Sequence, residues 1–245
     1  MNNQNVPNKS RYDAIVVGTG ISGGWASKEL TENGLNTLVL DRGRMVEHIK
    51  DYPTMNKDPW DFEHRGRPTT KDRDRQEKQA RTGYTTGEAS KHWFVDDIDH
   101  PYSESKRFDW IRGYHVGGRS LMWARMSFRW SEMDFEANKK DGFGVDWPIR
   151  YKDIAPWYEK VERYIGITGK KENLPQLPDS IFTPEIPLNC VEEEFRKGVA
   201  SSFEDRQVIN GRSANYTGTE LKEGRSSCQF RNRCIRGCPF GGYFS

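Results

Sequence analysis

The stretch Asp13-Ala-Ile-Val-Val-Gly18-Thr-Gly20-Ile-Ser-Gly23-Gly24 decides the fold of this 245-residue chain. A short apolar run enters a turn of the pattern G-x-G-x-x-G. Residues 25–32 then have helical character and run into Asn33-Gly34, a typical helix end. Thr37-Leu-Val-Leu40 is a second apolar run of strand length, closed by Asp41. Strand, glycine turn, helix and strand within about 30 residues predict a βαβ unit, and with it an α/β fold built on a parallel sheet.

The glycine turn has the spacing of a dinucleotide-binding site. Its first glycine permits the tight turn, its second lets a pyrophosphate approach the backbone, and its third lets the helix pack closely on the strand. The helix N-terminus offers unpaired N–H groups and a partial positive charge to the phosphates. The predicted cofactor-binding residues of the turn are Gly18, Gly20, Ile21, Ser22 and Gly23.

Asp41 follows the second strand, 23 residues after Gly18, where a carboxylate can accept hydrogen bonds from the two ribose hydroxyls. Arg42 comes directly after it and is included among the cofactor-binding candidates. An arginine here also raises the alternative of a 2′-phosphate, and hence NADP. A solvated surface arginine is the favoured interpretation, because Asp41 would repel that phosphate. A glycine-rich turn in an unrelated α/β domain remains the other alternative.

The composition excludes some classes of protein. Lys and Arg number 38 against 36 Asp and Glu, a net charge of +2, which argues against a general nucleic-acid binder. No apolar run approaches the roughly 20 residues that cross a bilayer, so we expect no transmembrane segment. Residues 1–11 lack the apolar part of a signal peptide. We therefore expect a cytoplasmic protein, exported only with the signal of a partner subunit.

The rest of the chain is less regular. Residues 44–110 are mostly polar with charges of both signs, and they predict either a lid or a partly disordered loop. Apolar residues at helical spacing predict helices over 154–165 and 191–203. Four prolines make 174–187 largely irregular.

Four segments together resemble the glucose–methanol–choline (GMC) oxidoreductases. Residues 13–24 with 38–43 resemble the flavin-binding start of that family. His115-Val-Gly-Gly-Arg-Ser-Leu-Met-Trp123 resembles its second flavin-contacting segment, and residues 146–162 resemble the opening of its substrate domain. Residues 228–242 resemble a cysteine segment of the branch that includes gluconate, fructose and bacterial glucose dehydrogenases.

The resemblance implies a Rossmann-like FAD-binding domain with a long inserted excursion, followed by the beginning of an α+β substrate domain. It also implies oxidation of the CH–OH group of a small alcohol, sugar or polyol, by hydride transfer to flavin N5. The predicted segments are 1–46, the FAD-binding βαβ unit; 47–110, the polar excursion or lid; 111–145, the second FAD-contacting segment; 146–225, the start of the substrate domain; and 226–245, a cysteine segment returning towards the FAD domain.

The second flavin segment departs from the family pattern. Gly117, Gly118 and Ser120 fit close approach of the backbone to the flavin and a hydrogen bond from a hydroxyl. A buried glycine turn between core aromatics is the alternative. Some relatives tether FAD through a histidine near the position of Met122, and a thioether cannot form that link. We therefore expect noncovalent FAD.

The cysteine segment places Cys228, Cys234 and Cys238 close together in the sequence, with a proline after the last. Such runs resemble iron–sulfur ligand sets, and some membrane-linked relatives hold a cluster here. In those relatives the first cysteine is typically doubled, whereas Gln229 follows it in this chain. Three thiolates are too few for a four-ligand site unless Cys190 folds back. Reduced cysteines in an inherited loop are the favoured interpretation, and a cluster is the alternative.

No catalytic residue is assigned. The resemblance implies a histidine base near the family's C-terminus, and none of the five histidines here fits that motif. We expect the base beyond residue 245, in a longer protein that passes electrons to oxygen, to a quinone or cytochrome, or to a partner subunit. Two alternatives stay open: a non-catalytic FAD-binding electron-transfer module, and an NAD(P)-dependent Rossmann enzyme.

Overall fold

The computed structural model describes residues 11–220 and 222–245. Their backbone mixes helices with short strands and divides into two compact units. The predicted division into five segments stays a prediction. The first unit holds the described residues up to Trp123 with Ile235–Gly237 and Ser245, and the second holds those of Ala124–Cys234 and Cys238–Phe244.

The first unit opens with the βαβ unit expected from the sequence. Strand β1 (Ala14–Val17) and strand β2 (Thr37–Leu40) pair in parallel, with Ala14 opposite Thr37. Helix α1 (Ile21–Glu32) connects them. It begins four residues before the helix predicted from residue 25, because the glycine turn passes straight into the first helical turn. The helix ends at Asn33, as predicted, and Gly34 follows with a φ of +83°.

The polar excursion contains only short helical pieces. Trp93 is only 2% exposed and forms the apolar core of this unit together with Tyr52 and Leu121. This part of the excursion is therefore packed rather than solvated. The pieces between residues 44 and 122 are α2 (Thr70–Arg75), α3 (Glu77–Ala80) and 3₁₀ turns at Pro59–Asp61, Glu63–Gly66, Lys91–Trp93 and Gly118–Leu121.

The second unit is built on three longer helices. Helices α5 (Tyr151–Ile165) and α6 (Cys190–Ser202) cover the two helices predicted from apolar spacing. Helix α4 (Glu132–Asp141) was not predicted. Its signal is Ser131 followed by Asp134, a capping box in which the Asp134 carboxylate accepts the Ser131 backbone N–H at 2.7 Å.

Two very short strands complete the second unit. Strand β3 (Ile167–Thr168) pairs in parallel with β4 (Phe182–Thr183), and β4 lies inside the region 174–187 that was expected to be irregular. A 3₁₀ turn at Cys234–Arg236 has Cys234 in the second unit and its other two residues in the first. In the described part of the chain, no helix has both the length and the apolar character to span a bilayer.

Candidate functional site

The glycine turn leaves an open, uncapped helix N-terminus. Gly18 has a φ of +91°, in the left-handed region that favours glycine, and its N–H donates to the Leu40 carbonyl at 2.7 Å. Gly20 is the N-cap residue of α1, and no side chain caps the helix there. A Cβ at Gly18 or at Gly20 would meet no atom within 4 Å. Among the described residues, no side chain therefore caps the first N–H groups of this 12-residue helix, which can receive an anion.

Gly23 explains how closely the helix packs on the turn. A Cβ at this position would lie 1.9 Å from the carbonyl oxygen of Gly18, so any side chain would force the helix away from the strand. The neighbouring Gly24 carries no such constraint, since a Cβ there would have an ordinary contact of 3.7 Å with the Thr19 oxygen. Ile21 and Ser22, in the first helical turn, are exposed.

The second glycine segment meets the first. Gly117 and Gly118 both have positive φ, at +89° and +52°, and they introduce the 3₁₀ turn that buries Ser120. A Cβ on Gly118 would lie 3.4 Å from the Gly20 Cα, so the two glycines are in close approach. The structure thus brings together two segments, some 100 residues apart, that the sequence predicted to share a cofactor.

Thr19, which sequence reasoning missed, connects the parts of this site. Its hydroxyl accepts the Gly117 backbone N–H at 2.9 Å and itself donates to the Asp41 carboxylate. The Thr19 backbone N–H donates to the same carboxylate oxygen at 2.8 Å. The other oxygen of Asp41 accepts the Gly43 N–H at 2.7 Å. The only signal for this role was a hydroxyl residue between the first two glycines of the motif.

Asp41 is held as a carboxylate. The Thr19 hydroxyl is the largest influence on the pKa of Asp41 and lowers it below its usual value, and the backbone N–H groups of Gly43 and Thr19 act in the same direction. Both oxygens still have lone pairs for a further donor, as hydroxyls of a ribose would be. Arg42 is exposed, with its guanidinium 3.7 Å from the centre of the Tyr114 ring.

Two histidines pack around Trp93, the half-buried His92 and the buried His115, which begins the second glycine segment. His92 and His115 both contact the ring of Trp93, with centroids 4.4 and 5.7 Å away. Burial lowers the pKa of His92 to about 4, and the charge of Arg44 contributes in the same direction. Burial also lowers the pKa of His115. Both rings are therefore neutral at pH 7, which suits a structural role for His115.

The three clustered cysteines line one cavity of the second unit. The cavity has a volume of about 340 Å³, and the rings of Phe230 and Phe240 form part of its wall. Burial raises the pKa of Cys234, and the nearby thiols of Cys228 and Cys238 raise it further. Cys190 is exposed at the start of α6 and does not line the cavity. Among the described residues, no group of three or more His, Cys, Asp or Glu side chains is arranged to hold a metal ion.

The residues of the first unit fit a dinucleotide: an uncapped helix N-terminus, glycines that leave space in front of it, and an ionised carboxylate beside it. This combination is what an α/β dinucleotide-binding site requires. No family model matches the chain. Curated proteins with similar sequences narrow the class further.

The chain is 25% identical to the fructose dehydrogenase large subunit of Gluconobacter japonicus over 250 residues, which cover 95% of this chain and 41% of that protein. It is 24% identical to paromamine 6′-oxidase of Streptomyces fradiae over 227 residues, covering 91% of this chain and 34% of the relative. It is 25% identical to an oxygen-dependent choline dehydrogenase of Pseudomonas syringae pv. tomato over 206 residues, covering 83% of this chain and 32% of the relative.

These homologues are all GMC oxidoreductases, so the resemblance predicted from the four sequence segments is confirmed over most of the chain. By name they are dehydrogenases and oxidases. The chain spans between about a third and two fifths of the length of these curated relatives.

Proposed function

We propose that this chain is the flavin-binding part of an FAD-dependent oxidoreductase that acts on the CH–OH group of a small alcohol, sugar or polyol. The observation that carries the proposal is the meeting of two glycine segments at one open helix N-terminus. Gly118 lies against Gly20, and Gly117 donates to the hydroxyl of Thr19. Homology to GMC dehydrogenases and oxidases supports the same conclusion.

The chain's own residues would bind and orient the cofactor. The free N–H groups at the start of α1 would hold the pyrophosphate, and Gly20 would leave room for it. Asp41 would accept the ribose hydroxyls, and its negative charge disfavours the 2′-phosphate of NADP. FAD, when bound, supplies the acceptor for the hydride that leaves the substrate carbon.

We expect the cofactor to be bound without a covalent link. Met122, the residue nearest in sequence to the tethering position of some relatives, packs against the apolar core of the first unit. Gly117 and Gly118 would allow close approach of the flavin, and Ser120 would stabilise their turn from inside, since its side chain is buried there.

The proton-abstracting base belongs, in our proposal, to residues beyond these 245. Of the five histidines, His115 is buried and His92 is half-buried, and the His48 ring lies 3.2 Å from the Tyr52 hydroxyl oxygen. The relative from Gluconobacter is named as a large subunit, which supports an electron-accepting partner subunit for this protein too, with a quinone or cytochrome as the other acceptors.

We also propose that further residues of the same protein cover the sheet of the first unit. Ile15 and Val17 on β1 are 62% and 82% exposed, and Leu40 on β2 is 47% exposed. Apolar strand residues at this exposure leave unburied surface whose burial contributes roughly 25 cal/mol per Å². The greater length of the curated relatives supports the same view.

The experiment is spectroscopy and turnover of the full-length protein that contains this sequence. We expect flavin absorption bands, release of the flavin on acid denaturation, and reduction of a dye acceptor with at least one sugar, polyol or simple alcohol. Flavin bands without turnover on any alcohol would favour the electron-transfer module instead. Absence of flavin, with binding of NAD or NADP, would favour an NAD(P)-dependent enzyme and contradict the proposal.

A further inference from the structure

A second, polar pocket lies within the first unit, in the excursion between α2 and the 3₁₀ turn at Lys91–Trp93. Its volume is about 260 Å³, and the side chains around it are mainly amides, hydroxyls and charged groups. None of them belongs to the glycine turn or to the second glycine segment. The lining residues used below are Gln76, Gln79, Thr85, Thr86, Phe94 and the Arg75–Asp96 pair.

The strongest feature of this pocket is a buried hydrogen-bond acceptor without a donor. Gln79 is 5% exposed, and its side-chain oxygen has no hydrogen-bond partner among the described residues. Its backbone is fully engaged: the N–H donates to Asp97 at 2.9 Å, and the carbonyl accepts the Thr85 hydroxyl at 2.7 Å. A buried amide oxygen without a donor costs free energy, so such groups are normally satisfied by a ligand or by water.

Further groups around the pocket can hydrogen-bond to a ligand. Gln76 accepts the Asp97 backbone N–H through its amide oxygen at 3.2 Å, which leaves its NH₂ group as a donor. Thr86 adds a hydroxyl, which both donates and accepts. The volume is also several times the roughly 30 Å³ that one water molecule occupies in the liquid. The pocket therefore suits a molecule with several hydroxyl groups.

The two cations at the pocket are already paired. The Arg75 guanidinium donates to Asp96 at 2.8 Å, and Lys91 pairs with Glu88. The Asp72 carboxylate accepts the Thr69 hydroxyl at 2.7 Å and keeps its negative charge, so the lining disfavours an anionic ligand. One wall is apolar, because Phe94 lines the pocket. A ring with polar edges and an apolar face complements these walls.

We propose that this pocket binds a neutral polyhydroxylated molecule, a sugar or a polyol, at a site separate from the flavin site. The acceptor of Gln79 would take one ligand hydroxyl, and Gln76 and Thr86 would bond to others, with the apolar face of the ligand against Phe94. The inference stands on the pocket alone and does not depend on the proposed redox activity.

The test is methyl NMR of the full-length protein labelled at its threonine methyl groups. D-Glucose, D-fructose, sorbitol and glycerol serve as neutral probes and D-gluconate as the charged counterpart. We expect saturable shifts of the Thr85 and Thr86 methyls with at least one neutral probe. Thr168, which is buried in the second unit, should stay unchanged, and Thr19 reports separately on the glycine turn.

Substitutions then assign the shifts to the pocket. Gln79→Leu should weaken the affinity by about tenfold, the value of one buried hydrogen bond, with the FAD content unchanged. Gln176→Leu, at an exposed glutamine of the second unit, is the matched control and should bind as the parent does. If Gln79→Leu does not fold, Thr86→Val tests the same site through the methyl of Thr85. Absence of saturable shifts with every neutral probe, equal affinity in the pocket variants, or tighter binding of gluconate would overturn the proposal.

Discussion

The hydroxyl of Thr19 donates to the carboxylate of Asp41, and the backbone N–H of Thr19 reaches the same carboxylate oxygen at 2.8 Å. The same hydroxyl accepts the N–H of Gly117 at 2.9 Å. One small side chain therefore connects the glycine turn, the acid after β2 and the second glycine segment. Both of its hydrogen bonds lie at the helix N-terminus where the phosphates of a dinucleotide would bind.

Replacing this hydroxyl by a methyl group should remove two hydrogen bonds of the site while keeping the shape of the side chain. In Thr19→Val, the Gly117 N–H loses its acceptor and Asp41 loses one donor. We expect a loss of about 1 kcal/mol in the free energy of unfolding, together with weaker retention of FAD. Urea denaturation and the flavin-to-protein absorbance ratio measure the two effects. Thr19→Ser keeps the hydroxyl and is the control; equal stability and flavin content in the Val and Ser variants would show that these bonds are unimportant.

Two histidines with lowered pKa values predict how stability depends on pH. The pKa of His92 is about 4 in the folded protein, against about 6.5 for an unperturbed histidine, and that of His115 is also lowered. Between these two pH values the unfolded chain binds the proton and the folded chain does not. The contribution of these two histidines to stability is therefore complete above about pH 6.5 and is lost as the pH drops towards 4.

Substitution isolates the contribution of His92. Measured as denaturation midpoints from pH 7 to pH 4, the stability of His92→Gln should fall less steeply with acid than that of the parent. His64→Asn is the control, since His64 is exposed and asparagine tolerates its φ of +50°. An unchanged slope in His92→Gln would contradict a His92 that is neutral in the folded protein at pH 5 to 6.

An ion pair inside the second unit should be sensitive to removal of one partner. The guanidinium of Arg129 donates to both carboxylate oxygens of Glu162, at 2.8 and 2.6 Å, and the two side chains are only 5% and 7% exposed. Glu162 also accepts the Ile181 N–H at 2.9 Å. The hydrogen bonds from Arg129 to Glu162 raise the pKa of the arginine, which stays charged.

Breaking this pair leaves a buried charge without a partner. Glu162→Gln should cost about 3–5 kcal/mol in the free energy of unfolding, and the double variant Arg129→Met/Glu162→Leu should cost less. Glu194→Gln, which removes the exposed pair with Lys197, should change little. Guanidinium denaturation compares the three proteins. If the double variant is less stable than Glu162→Gln, the ion pair stabilises the fold by more than the mutual neutralisation of its two charges.

The local parts of this fold could be predicted from the sequence, because their signals lie within a few residues. The βαβ unit follows from two apolar runs around a glycine turn, and α5 and α6 follow from apolar residues at helical spacing. Helix α4 carried a comparable signal in Ser131 and Asp134, although it has only one buried residue, Phe135, and hence no apolar stripe.

Long-range packing could not be predicted. Trp93 stands isolated in a polar stretch, and its partners Tyr52 and Leu121 are distant in sequence, so nothing local shows that it forms a core. The same applies to Thr19, whose acceptor and donor partners lie 22 and 98 residues away. The turn formed by the glycines could be predicted, because the spacing of these residues reflects local backbone geometry.

The FAD content of the Gly20→Val variant directly tests whether the pyrophosphate of FAD binds in front of α1. Gly20 has an ordinary extended backbone, and a Cβ there meets no atom within 4 Å, so the variant should fold and unfold cooperatively like the parent. Its side chain would nevertheless occupy the space in front of α1 where the pyrophosphate must lie. Gly24→Ala, on the same helix with only an ordinary contact, is the matched control. We expect a folded, colourless Gly20→Val protein beside a yellow Gly24→Ala protein; a Gly20→Val protein fully loaded with FAD would contradict binding of the pyrophosphate at this helix N-terminus.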